Sequence, residues 1–199
     1  MDAFMIVLIL GFCISIIALI LLLFETGGIV FEFEKKRVGR QGEWLASRVI
    51  KEILNEKDIL LTNVKVSFDG KDAELDNVII NNRGVFVIEV KNYKGRLIGT
   101  ENDFKWIKIK YTKAGNCYHT LVRNPIKQVG RQVYILSGCL KEHGINLWIE
   151  GYVFFVEGNS PIESERVLST QEDINTVIHL GVNNKLKNIS KEKIVEILS

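Results

Sequence analysis

The sequence feature that most constrains the fold is a pair of apolar runs separated by four turn-forming residues. The runs are Val-Ile-Ile at 78–80 and Val-Phe-Val-Ile at 85–88, with Asn-Asn-Arg-Gly at 81–84 between them. β-Branched runs around a short turn that contains Asn and Gly predict a β-hairpin. Because the runs are nearly continuous rather than alternating, we expect both strands to be covered on both faces, in the middle of a sheet.

Charged residues stand where the chain enters and leaves this hairpin. Asp76 precedes the first run, and Glu89 and Lys91 end the second. Residues i and i+2 of a strand share a face, so Glu89 and Lys91 point the same way, and a turn at 81–84 places Asp76 opposite Glu89. Charges beside a buried sheet are costly unless they are paired or used. The pattern predicts either a Mg²⁺ or Mn²⁺ site whose lysine acts on a water, or a structural ion pair at a sheet edge.

Four motifs in the same order resemble a known family. They are Gly39-Arg40-Gln41-Gly42-Glu43, Glu74-Leu75-Asp76, the stretch from Gly84 to Asn92 with Gly95 after it, and Asn124-Pro125-x-x-Gln128. Together they are similar to the NERD (nuclease-related) domain of the PD-(D/E)XK nuclease superfamily, over roughly residues 37–157. Leu75 stands where the superfamily has a proline before the aspartate, and that proline is not a metal ligand.

The resemblance implies a role for each residue of the site. It implies Mg²⁺ (or Mn²⁺) as cofactor, held by Asp76, Glu89, the carbonyl of Val90 and, from the first helix, Glu43. It also implies that Lys91 positions or activates the attacking water and that Gln128 faces the metal. Composition alone would explain Glu43 equally well as a charge in the first turn of a helix, and would favour Gln128 as a polar surface residue.

The amino-terminal region contains an uncharged stretch, residues 3–24, that is rich in Ile and Leu. About 22 apolar residues suffice to cross a bilayer as a helix. A signal peptide and a buried core helix are the alternatives. The acidic start at Asp2 and the lack of a clear cleavage site argue against the first, and the lack of a polar stripe beyond Ser15 argues against the second. We therefore expect one transmembrane helix at 3–24.

Basic residues follow this apolar stretch and none precedes it. They are Lys35, Lys36, Arg37 and Arg40. Positively charged flanks stay on the cytoplasmic side. The expected arrangement is a single-pass protein of the cell membrane with its globular domain in the cytoplasm.

The remaining elements give the predicted organisation of the chain. We expect a transmembrane helix at 3–24, a juxtamembrane linker at 25–36, a nuclease-like domain at 37–157 and a helical extension at 158–199 packed on that domain. Within the domain, the patterns predict a helix at 39–55, a strand at 59–68, a second hairpin at 97–111, a helix at 124–143 and a strand at 148–157. This order predicts an α/β sandwich around a mixed sheet. The resemblance implies that the fold is a restriction-endonuclease-like sandwich, with a central mixed sheet flanked by helices.

Composition limits the class of function. The formal net charge is only +2, so the whole chain carries no strong electrostatic footprint for nucleic acid. The three cysteines and three histidines lack metal-ligand spacing, and the cysteines are expected to be free thiols. Lysines at 105, 108, 110 and 113, beside Trp106 and Tyr111, could contact phosphates and bases or could simply guard a solvated edge strand.

We therefore expect a membrane-anchored, metal-dependent nuclease domain that hydrolyses nucleic-acid phosphodiester bonds on the cytoplasmic side, with DNA favoured over RNA. The alternative is a catalytically inactive nucleic-acid-binding or scaffold module on the same fold, since a fold does not fix a function.

Overall fold

The computed structural model describes residues 14–19, 37, 39–112, 115–180, 186 and 189–199. The chain divides into two compact units, Met1–Arg40 and Gln41–Ser199. In the first unit, residues 14–19 are helical, and the rest of the predicted anchor and the predicted linker at 25–36 lie outside the described residues. Among the described residues, no helix combines the length and the apolar character needed to cross a membrane.

The second unit contains helices and two β-sheets. In chain order its elements are α1 (helical residues 41–53), β1 (Ile59–Phe68), β2 (Lys71–Asn81), β3 (Gly84–Lys91), β4 (Arg96–Ile98), β5 (Lys105–Tyr111), β6 (Cys117–Arg123), α2 (Pro125–Glu142), β7 (Ile149–Phe155), β8 (Val167–Leu168), α3 (Gln171–Asn175), a π-helical segment (Thr176–Leu180) and α4 (Lys191–Leu198).

The main sheet has five strands in the order β1-β2-β3-β7-β8. Strands β1, β2 and β3 are antiparallel neighbours, whereas β3–β7 and β7–β8 are parallel pairs. A parallel neighbour requires a crossover connection, and α2 lies in the connection between β3 and β7. The sheet is therefore mixed and flanked by helices, which confirms the predicted α/β class.

The predicted hairpin is the centre of this sheet. Asn81 pairs with Gly84 at the turn, and Asn77 pairs with Ile88 further along the two strands. This is the register expected when the chain turns at residues 81–84. The residues of both runs are buried. Alternate residues point to opposite faces: Val78 and Val87 belong to the core that includes α2, and Ile79 and Ile88 to the core that includes α1. Coverage of both faces is thus confirmed.

The second sheet has three strands in the order β4-β5-β6. The sequence predicted a two-stranded hairpin here and missed β6, which pairs with β5 along its whole length. The reason is physical: β6 is exposed at nearly every position, so it lacks the apolar alternation that marks a half-buried strand. Trp106 on β5 is fully buried and stacks on Phe155 of β7, with ring centroids 6.1 Å apart.

Capping residues define where the helices begin. Asn124 is the N-cap of α2 and accepts a hydrogen bond from the Ile126 N–H, with Pro125 in the first turn as predicted. Thr170 caps α3 through a capping box with Asp173, and Ser190 caps α4. The segment expected to be only helical, 158–199, also contributes strand β8 to the main sheet.

Candidate active site

Two carboxylates meet where β2 and β3 run side by side. The pairing of Asn77 with Ile88 makes Asp76 and Glu89 the next residues facing each other. The Asp76 carboxylate accepts a hydrogen bond from the backbone N–H of Val90, with 2.7 Å between N and Oδ2. The hairpin therefore places the Asp76 side chain at the carboxyl-terminal end of β3, beside Glu89 and Lys91, as the spacing predicted.

The Glu89 carboxylate is buried, with 2% of the residue exposed, and both of its oxygens are hydrogen bonded. Oε1 accepts from the Lys91 ammonium and from the Gln128 amide, whose Nε2 lies 2.5 Å away. Oε2 accepts from Nε2 of Gln132 at 2.5 Å. A buried carboxylate requires such donors, since hydrogen bonds to its charged form offset the loss of water.

Helix α2 supplies the two amide donors. Gln128 and Gln132 are four residues apart, so they lie on one face of the helix and reach Glu89 together. Gln132 also donates to the Glu74 carbonyl, at 2.9 Å, which ties α2 to β2. Gln132 is buried, with only 4% of the residue exposed, and no site role was predicted for it. The signal that could have found it is its spacing: a helix that turns Gln128 toward the site must turn Gln132 there as well.

The Lys91 ammonium is ion-paired with Glu89 and largely buried. Burial by itself lowers the pKa of a lysine, but the Glu89 carboxylate and the nearby Tyr93 hydroxyl outweigh it, and the pKa of Lys91 lies above its ordinary value. Lys91 is therefore a firmly held cation at neutral pH. In this state it can donate to a phosphoryl oxygen or orient a water, but it has no free lone pair for a proton.

Asp76 holds its proton more tightly than an ordinary aspartate does. Burial, followed by the negative charge of Glu89, raises the pKa of Asp76 to about 7, against the opposing effects of the Val90 N–H and the Lys91 ammonium. The negative charge of Glu43 acts in the same direction as that of Glu89. The site thus carries more negative charge than Lys91 alone can offset, a state that a bound cation would relieve.

Helix α1 brings Glu43 toward this site because Gly42 has no side chain. A Cβ added at Gly42 would lie 2.5 Å from Cβ of Asn92, the residue that follows β3. Glycine therefore allows the start of the helix to approach the end of the strand. The neighbouring Glu43 is close enough for its charge to influence Asp76.

The described residues contain no group of three or more His, Cys, Asp or Glu side chains placed to share a metal ion. What the structure brings together is the carboxylate pair of Asp76 and Glu89, next to the backbone of Val90. This donor set suits Mg²⁺, which is commonly held by one or two carboxylates and completes its shell with water and substrate phosphate oxygens. The predicted ligand role of Glu43 stays a prediction.

Other basic side chains lie beside this site. Lys108 has its ammonium 5.2 Å from the centroid of the Tyr93 ring, and Arg131 donates to the Asp72 carbonyl at 3.0 Å. Lys113 lies outside the described residues. Cys117 and Cys139 are free thiols, and Cys13 lies outside the described residues.

Fold and site together define an α/β domain that carries a partly buried cluster of Asp76, Glu89 and Lys91 on an antiparallel hairpin. The family model for the nuclease-related domain, NERD, matches residues 38–156. The chain therefore belongs to the NERD family.

A relative shares the same region. An uncharacterized protein of Bacillus anthracis is 29% identical over 125 residues, which cover 62% of this chain and 57% of that protein. This chain thus spans little more than half the length of that relative. No solved structure matches the chain significantly.

Proposed function

We propose that this chain is a metal-dependent nuclease that hydrolyses phosphodiester bonds of nucleic acid, with an active site of the PD-(D/E)XK type. The observation that carries the proposal is the placement of Asp76, Glu89 and Lys91 at the end of one hairpin, with the pKa of Asp76 raised by burial and by the negative charge of Glu89. Membership of a nuclease-related family supports the same reaction class.

Each residue of the site has its own proposed role in phosphodiester hydrolysis. Asp76, Glu89 and the carbonyl of Val90 would hold Mg²⁺ or Mn²⁺, which when bound supplies charge stabilisation at the phosphoryl group and a more acidic water. The Lys91 ammonium would donate to a phosphoryl oxygen or fix the orientation of the attacking water. Gln128 and Gln132 hold Glu89 in one orientation, and Gln128 is the one of the two that also borders open space.

A second candidate is a non-catalytic nucleic-acid-binding or scaffold module. One observation favours it: both oxygens of Glu89 are already satisfied by Lys91, Gln128 and Gln132. Such a closed network is stable without a metal ion. Under this alternative, binding to nucleic acid persists in chelator and Asp76 can be replaced at little cost to function.

We also propose that residues 3–24 anchor the chain in the cell membrane, with the NERD domain in the cytoplasm. The uncharged stretch and the basic residues that follow it support this arrangement. Protease added to intact cells should leave the domain whole, and its degradation there would sink the proposed orientation.

A cleavage assay tests the enzymatic proposal. Full-length protein in detergent is incubated with single- and double-stranded DNA and RNA in Mg²⁺, Mn²⁺ or EDTA. We expect metal-dependent cleavage that is lost in Asp76→Ala and kept in Glu163→Ala, a control carboxylate exposed on the surface. Absence of cleavage by a folded wild-type protein on every substrate would move the assignment to the binding module.

A further inference from the structure

A basic cavity of about 600 Å³ opens beside the acidic site, between the first half of α2 and the ends of β5 and β6. Six of the residues that line this cavity are Phe104, Lys105, Arg123, Lys127, Gln128 and Arg131. Gln128 lines the cavity, and its amide also donates to Glu89 in the acidic site. Whatever occupies the cavity therefore lies next to the proposed reaction centre.

Two of the cations stand directly opposite each other. Lys105 on β5 and Arg123 on β6 are register partners across the two strands. Like charges in that position are destabilising. Neither forms an ion pair within the part of the chain that the structure describes. The pair costs stability in the free protein, and an anion between the two side chains would remove that cost.

The whole lining has the same charge imbalance. Lys127 and Arg131 add two further cations from α2, and among the described lining residues Asp72 is the one carboxylate. Four cations therefore face one acidic group, although the net charge of the chain is only +2. A concentration of positive charge in a concave site is the local signature of a phosphate-binding surface.

An aromatic ring stands at the edge of this cavity. Phe104 is 82% exposed, and the Lys127 ammonium lies 4.9 Å from the centroid of its ring. The loop that carries Phe104 is fixed by Asn124, which is 1% exposed and whose side-chain amide donates to three carbonyls, those of Thr100, Glu101 and Asp103. The backbone N–H of Asn124 donates to the Phe104 carbonyl at 3.1 Å. The ring is thus an exposed apolar surface on a well-anchored loop.

We propose that this cavity binds an unpaired strand of nucleic acid next to the bond that is cleaved, with its backbone phosphates on the four cations and one base stacked on Phe104. The assignment rests on the proposed function, because it makes the cavity the flanking part of the same substrate site. An exposed ring beside cations is the usual platform for single strands, whose base faces are open, whereas the base faces of a duplex are already stacked.

Binding in EDTA separates this site from catalysis. Full-length protein in detergent is titrated into fluorescently labelled single-stranded and hairpin-duplex oligonucleotides, of DNA and of RNA, and anisotropy is recorded. Phe104→Ala should weaken single-strand binding about tenfold, the order typical of one lost stacking partner, and leave duplex binding unchanged. Trp148→Ala removes another exposed aromatic residue, outside the cavity, and should have no effect.

The salt dependence tests the phosphate contacts. The double variant Lys105→Gln with Arg123→Gln should reduce the slope of log affinity against log salt by about 1.4, the value for two single-strand phosphate contacts. Lys57→Gln with Lys65→Gln removes two exposed lysines outside the cavity and should leave the slope at the wild-type value.

Three results would overturn the proposal. The first is that Phe104→Ala and the Lys105→Gln, Arg123→Gln double variant both bind single strands with wild-type affinity. The second is that Phe104→Ala loses equal affinity for single strand and duplex, and the third is that the wild-type protein binds no nucleic acid. The two proposals fail separately. Metal-dependent cleavage by the wild type, together with wild-type binding by the cavity variants, would refute the proposed strand-binding cavity and support the proposed nuclease activity. If the cavity variants lose binding but the wild type does not cleave in Mg²⁺ or Mn²⁺, the strand-binding cavity would be supported and the nuclease activity refuted.

Discussion

Gln132 and Glu89 are hydrogen bonded across 43 residues of chain, with Nε2 of the amide 2.5 Å from Oε2 of the carboxylate. Both residues are buried, and the bond joins α2 to β3. Water has little access to this carboxylate, so protein donors must provide the stabilisation that water would otherwise give.

Replacing Gln132 by methionine removes the donor while nearly keeping the volume. We expect Gln132→Met to lower the free energy of unfolding by about 1–3 kcal/mol, because one oxygen of a buried carboxylate then lacks its partner. Urea denaturation followed by circular dichroism measures the change. Gln171→Met, at an exposed position of α3, is the control and should stay within about 0.5 kcal/mol of wild type. Equal stability of both variants would mean that Glu89 does not depend on this donor.

Lys91 should matter to catalysis far more than its neighbours do. Lys91→Ala is expected to reduce the cleavage rate about 100-fold or more, as is typical when a donor to a developing charge is removed. Lys94→Ala, an exposed lysine three residues further on, should cleave at the wild-type rate. Rates are compared on protein whose circular dichroism matches wild type. Comparable rates for both variants would exclude Lys91 from the mechanism.

The stability of the metal-free protein should depend on the ionisation of Asp76. Its pKa rises from 3.8 to about 7 on folding, so the folded state holds the proton more tightly than the unfolded state. The stabilisation is complete below pH 3.8 and is lost as the pH rises through about 7. In EDTA, the melting temperature of wild type should therefore fall over this range.

The variant Asp76→Asn should flatten this pH profile and melt above wild type at pH 8, because the amide carries no charge next to Glu89. Asp69→Asn, in the exposed turn between β1 and β2, should follow the wild-type profile. Thermal scans from pH 4 to pH 8 provide the measurement. Parallel profiles for wild type and Asp76→Asn would show that Asp76 is ionised in the folded protein throughout this range.

Two glycines in different surroundings should respond oppositely to alanine. In Gly42→Ala the new Cβ meets Cβ of Asn92 at 2.5 Å, which pushes α1 away from β3 and should cost about 1–3 kcal/mol. In Gly130→Ala, inside α2, the new Cβ has no neighbour within 4 Å, and the helix should gain about 0.5–1 kcal/mol. Opposite shifts in melting temperature are expected. A stabilised Gly42→Ala variant would argue against the close approach of α1 to the site.

The hairpin was predictable because its determinants are local. The turn at 81–84 fixes the register, and the register in turn fixes which residues face each other, so Asp76 and Glu89 followed from spacing alone. Helix starts were predictable for the same reason, since Asn124 and Thr170 cap their helices through bonds to residues two or three positions away.

The missing parts depend on contacts distant in sequence. Gln132 differs from a surface glutamine only in its four-residue spacing from Gln128, and the packing of α2 on the sheet is what buries it. Strand β6 is exposed, so its sequence shows no apolar periodicity. The basic cavity collects Lys105, Arg123 and Arg131 from three elements, and only the packing of those elements brings their side chains to one place.

The three-stranded sheet β4-β5-β6 lies between β3 and α2 in the chain, and among the described residues its strands pair with one another and not with the main sheet. In evolutionary terms this separates two kinds of change. Exposed residues of this sheet can change in charge and aromatic content while the pairing of β2, β3 and β7 stays as it is, whereas the buried Trp106 is held by its stacking on Phe155. Given the proposed role of the cavity, we expect substitutions at exposed residues of this sheet to change substrate preference while Asp76 and Glu89 stay in place.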